Sequence, residues 1–89
     1  MEKVEKEMQV ALSEEQTVLE LGECLKNFQA EVFIRKMENG NVYTANANSL
    51  LGLINLQLKN GDTVVILAEG REAQQAVEAL AHFLVKGKE

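Results

Sequence analysis

Apolar residues at Met8, Val10 and Leu12 fall on every second position, the pattern of a strand with one face buried. Ser13-Glu14-Glu15-Gln16 follows, and a Ser with a Gln three residues later is a capping-box signature, so a helix is expected to begin there. Val18, Leu21, Leu25 and Phe28 then recur at helical spacing and carry the helix to about Asn27 or Phe28. Gly22 interrupts it at a cost of about 1 kcal/mol relative to Ala, which predicts a close neighbour at that point.

The β-branched and aromatic run Ala30 to Lys36 predicts a second strand. The Asn39-Gly40 turn then returns the chain along Val42 to Ala45 as a hairpin. Asn48 or Ser49 can cap a short helix through Leu56, whose five Leu and Ile residues surround most of its circumference. A turn at Lys59-Asn60-Gly61-Asp62 leads into Thr63 to Ala68, which reads as a central strand closed by Glu69-Gly70. From Arg71 to about Val85, Ala73, Val77, Leu80 and Leu84 form the apolar stripe of a last helix ending at Gly87. The order β-α-β-β-α-β-α predicts an α+β open-faced sandwich: a four-stranded antiparallel sheet with three helices on one face.

Composition narrows the function classes. The 89 residues suit one domain spanning 1–89, with 46% hydrophobic and 26% charged residues and no Pro. Net charge is −5 and the nine Lys and Arg are scattered, which gives no footprint for nucleic acid. The single Cys24 excludes an internal disulfide and a Cys-based zinc site, and points to a reducing compartment. No apolar run suits a signal peptide or a membrane span, so a cytoplasmic protein without membrane contact, metal or cofactor is expected.

The element order, together with Ala47 to Leu56 and Asn60 to Gly70, resembles the HPr family of bacterial sugar-phosphotransferase phosphocarriers over nearly the whole chain. That family carries phosphate on a His just before the first helix, in a Gly-x-His-Ala-Arg-Pro-Ala motif. Here the motif is absent. Counting back from Asn27-Phe28 puts Glu14 near the His position, Gln16 near the Arg and Thr17 near the Pro. A shift in the loop would move the His position to Ser13 or Glu15. None of these is an imidazole, so relay through this site is not expected, and neither is enzyme activity. The resemblance implies a regulatory interaction protein related to carbon catabolite control. The alternative is a phosphocarrier or phosphoacceptor that uses Glu14, Glu15 or a serine.

Ser49 matches the family's regulatory phosphorylation serine and is also a plausible helix cap. Leu50, Leu51 and Ile54 match the family's apolar docking patch, while core packing must claim Leu53 and Leu56. The implied partners are proteins: an HPr kinase, phosphotransferase-system enzymes or a transcription regulator. His82, the only histidine, lies in the last helix off its apolar stripe and reads as solvated or paired with Glu78. Glu14 and Glu15 at a helix start also suit the helix dipole, and Cys24, with no His or cationic cluster nearby in sequence, reads as buried filler.

Overall fold

The structure, a computed structural model, describes residues 2–88. Its elements are β1 (Glu2–Gln9), α1 (Val18–Leu25), β2 (Glu31–Glu38), β3 (Asn41–Asn46), α2 (Leu50–Leu56), β4 (Thr63–Gly70) and α3 (Ala73–Leu84), with a 3-10 turn at Lys86–Lys88. The four strands form one antiparallel sheet in the order β1-β4-β2-β3. Val64, Ile66 and Ala68 of β4 and Val32 and Ile34 of β2 are buried beneath the helices. From above, α3 supplies Ala73, Ala76, Val77, Leu80 and Leu84, α1 supplies Leu21 and Leu25, and α2 supplies Leu53 and Leu56. The expected sandwich and element order are therefore present. Asn39 and Gly40 both have positive φ, +52° and +81°, which is the two-residue hairpin turn that Asn-Gly favours.

Four local expectations are corrected. The first strand runs Glu2–Gln9 rather than around Met8 to Leu12. Its inward register positions are Val4, Lys6 and Met8, opposite Ala68, Ile66 and Val64, and the lysine among them breaks the apolar period.

The first helix begins at Val18, not Ser13, because Thr17 is the cap: its Oγ1 accepts from the Glu20 amide at 3.2 Å. Gln16 does reach back, its Oε1 accepting from the Ser13 amide at 2.7 Å, but around a turn. Its Nε2 donates to the Phe83 carbonyl at 2.7 Å, holding residue 16 against the end of α3 and out of the helix.

Gly22 meets no close neighbour: a Cβ there would find nothing within 4 Å. Gly87 does not cap α3, which ends at Leu84 with Val85 as its C-cap. Gly87 is small for another reason. A Cβ there would lie 2.5 Å from the Ala11 carbonyl oxygen, and its own amide donates to that oxygen at 2.6 Å.

Candidate functional site

Ser49 ends the tight connection from β3. Its amide donates to the Asn46 carbonyl at 2.9 Å, and its extended backbone is that of a helix cap. Its Oγ accepts from the Gly52 amide at 3.1 Å. Gly52 leaves the hydroxyl its place, since a Cβ at 52 would lie 3.4 Å from both Cβ and Oγ of Ser49.

The helix that follows divides its five apolar side chains as a short helix on a sheet must. Leu53 and Leu56 are buried. Leu50, Leu51 and Ile54 are 46%, 68% and 51% exposed. Three large apolar groups thus stand in water beside the Ser49 hydroxyl, a surface that monomeric proteins seldom leave without use.

The patch continues onto α1. Leu50 and Asn48 face Val18, Leu19, Gly22 and Lys26 across an open groove between the two helices. Leu19 is also exposed, although it lies off the buried stripe of α1. Leu19, Gly22 and Lys26 are the members that sequence reasoning missed. The available signal was a leucine displaced from the helix stripe and a glycine where no chain crosses, which together open the groove. Lys26 bounds it with a positive charge, paired at 2.8 Å with Glu23.

Glu14 and Glu15 form the exposed turn before α1. The turn is anchored at both ends, through the Gln16 bonds and through the Leu12 amide, which donates to Asn60 Oδ1 at 2.6 Å. His82 stands elsewhere, exposed on α3. It shares a shallow hollow with Glu20, Cys24 and Lys86, so the spacing argument that left Cys24 remote from a histidine or a cation is corrected by the packing of α1 on α3. Burial nevertheless raises the Cys24 thiol above its ordinary pKa, with the Lys86 ammonium pulling the other way. That environment favours the unreactive thiol. Among the described residues no cluster of His, Cys, Asp and Glu could hold a metal ion, and no helix is long and apolar enough to cross a membrane.

The chain is similar to known proteins along most of its length. The family model for the PTS HPr component phosphorylation site matches residues 16–86. The HPr-like protein Crh of Halalkalibacterium halodurans is 39% identical over 59 residues, covering 66% of each chain. The HPr-like protein Crh of Bacillus subtilis is 31% identical over 83 residues, covering 93% of this chain and 92% of that one. Among solved structures, the phosphocarrier protein HPr of Bacillus anthracis superposes with a TM-score of 0.78 at 33% identity, covering 92% and 96% of the two chains. The Bacillus subtilis Crh structure gives 0.67 at 26% identity, covering 98% and 94%. With the family model matching most of the chain and the fold shared along its length, this protein belongs to the HPr family of the phosphotransferase system.

Proposed function

We infer that this chain is a regulatory interaction module, not an enzyme and not a histidine phosphocarrier, and that it docks partner proteins through Leu50, Leu51 and Ile54 beside Ser49. The observation that carries the reading is the exposure of those three side chains on a helix whose other apolar residues, Leu53 and Leu56, already fill the core. The absence of any histidine other than His82 supports the second half of the reading. At the turn before α1 the chain offers Glu14, Glu15 and Ser13, and none of these gives the nitrogen nucleophile that a phosphoramidate relay needs.

The relatives named Crh supply the setting. One is described as a catabolite repression protein, and a cytoplasmic role in carbon catabolite control is proposed for this chain on that likeness. The partners would be an HPr kinase acting on Ser49, phosphotransferase-system enzymes or a transcription regulator.

Capture of partners from native lysate tests the docking surface. Leu51→Ala and Ile54→Ala should each weaken capture about tenfold, the loss expected when a central interface anchor is truncated. Undiminished capture by both variants would overturn the surface. Incubation with phosphoenolpyruvate and the general phosphotransferase enzyme tests the other half. No phosphate should be added, as read by intact mass, and phosphate on Glu14, Glu15 or His82 would establish a carrier instead.

A further inference from the structure

All three helices cover the face of the sheet that carries Ile34, Val64 and Ile66, and the reverse face is bare. On that reverse face Phe33 stands directly opposite Leu67, with Val65 next along β4, and all three are half-buried side chains outside the core. Beyond Arg35, Met37 and its β3 partner Val42 extend the apolar surface at 69% and 56% exposure. From Leu67 to Val42 the path crosses about two strand spacings and about four residues of strand. That is about 16 Å, or about three turns of a helix.

Carboxylates border this path on two sides. Glu5 lies opposite Leu67 and Glu7 opposite Val65, while Glu31 and Glu69 face each other across the end. Among the described residues none of the four makes an ion pair, and neither does Arg35 on the remaining side. Lys3 stands opposite Glu69 on β1 and pairs with it no more than the others do. Like charges directly opposite each other in a sheet are destabilising, so Glu31 is held against Glu69 at a cost that no ion pair within the chain offsets.

We propose that the bare face of the sheet seats a cationic amphipathic helix of a partner protein. Its apolar stripe would lie along the path from Leu67 to Val42, with Lys or Arg on the flank that meets Glu5 and Glu7 and at the end that meets Glu31 and Glu69. A helix fits because the path has the length and width of one helical stripe, and because the face of a sheet offers a strand no backbone partner. The carboxylates set the sign of the charge. A nucleic acid or an anionic lipid surface would meet the acidic border with like charge. A second copy supplies no match either, since the helix that exposes Leu50, Leu51 and Ile54 carries no charged residue. The bare face lies on the other side of the sheet from α2. The inference is therefore independent of the docking surface there, and with both surfaces filled the chain bridges two partners.

Two synthetic helical peptides of about five turns, sharing one leucine stripe and carrying either Lys or Glu on both flanks, test the face in the full chain. The lysine peptide should shift the amide resonances of Phe33, Val65 and Leu67 saturably, and the glutamate peptide should not. Glu5→Lys with Glu7→Lys should weaken the lysine peptide about tenfold or more, whereas Leu51→Ala should leave it unchanged. Arg35→Glu removes the cation beside the path and should tighten binding several-fold, a gain that unfolding cannot produce. Shifts centred on α1 and α2, equal binding of the two peptides, or indifference to both charge changes overturns the proposal. In native lysate, a photo-reactive residue in place of Met37 should cross-link to a segment with an apolar helical stripe and a Lys or Arg flank. Cross-linking to a second copy or to an acidic segment, or no cross-link at all, overturns it as well.

Discussion

The Lys36 ammonium donates to the carbonyl of Gln57 at 2.8 Å, joining the middle of β2 to the residue that ends α2. Lys36 is 2% exposed and is the only buried charged residue among those described. Its Nζ also lies 3.4 Å from Asp62, whose carboxylate accepts from the Lys59 amide at 2.8 Å. One cation thus ties the end of α2, the turn after it and the sheet together. Lys36→Met keeps the stem and removes these bonds. Bonds to charged groups contribute about 1.5–3 kcal/mol, and a loss of that size should appear in the urea midpoint. An unchanged midpoint would show that the cation is dispensable.

Gln57 itself sits in the left-handed region, with φ 53° and ψ 58°. A side chain there is strained and glycine is not, so Gln57→Gly should raise stability by about 0.5 kcal/mol despite the greater freedom of the unfolded chain. Thermal melts of the two proteins at matched concentration decide the sign.

The two halves of α2 should separate in stability measurements. Leu53→Ala empties a core position and should cost about 2–5 kcal/mol. Leu51→Ala, on a side chain 68% exposed, should stay within about 0.5 kcal/mol of the parent. Equal losses in urea melts would place Leu51 in the core and remove it from the docking surface.

Most of this arrangement could be read from the chain. The Asn39-Gly40 hairpin, the Ser49 cap, the central strand and the α3 stripe of Ala73, Val77, Leu80 and Leu84 follow from local rules that tertiary contacts reinforce. The exposure of Leu50, Leu51 and Ile54 follows from counting: a short helix on a sheet has one buried face, and Leu53 and Leu56 occupy it. What stayed hidden depends on contacts across the fold. Gln16 is drawn out of the helix by Phe83, 67 residues away. The buried lysine of β2, Lys36, is accommodated by Gln57 and Asp62 from other parts of the chain, and such neighbours cannot be inferred from period alone. The groove at Leu19 and Gly22 exists only because α1 lies beside α2.

Treatment with an HPr kinase and ATP should add a single phosphate at Ser49, read by intact mass and absent from Ser49→Ala. That variant also loses the bond to the Gly52 amide, and helix caps of this kind contribute about 1 kcal/mol. Comparison should therefore be made under conditions where both proteins are folded. Phosphate on the Ser49→Ala variant would move the modification elsewhere.

Cys24 should react slowly with a neutral thiol reagent near pH 8, because burial raises its pKa and keeps it protonated. Lys86 opposes that shift, so Lys86→Ala should slow the reaction further. The folded state prefers the neutral thiol. Its contribution to stability is complete below the pKa of the unfolded thiol and fades as pH rises through the folded value. A faster reaction in Lys86→Ala would show that access, not ionisation, governs the thiol.

The strand order has a kinetic meaning. Strands β2, β3 and β4 all lie between Glu31 and Gly70, and each can find its neighbour after closing a modest loop. Strand β1 cannot: its sole partner is β4, and Gln9 must wait for Thr63 before the first rung forms. Chain entropy therefore disfavours early docking of β1, by about 0.6 kcal/mol for each doubling of the loop to be closed. Core changes among β2, β3 and β4 should slow folding, whereas changes in β1 should mainly quicken unfolding.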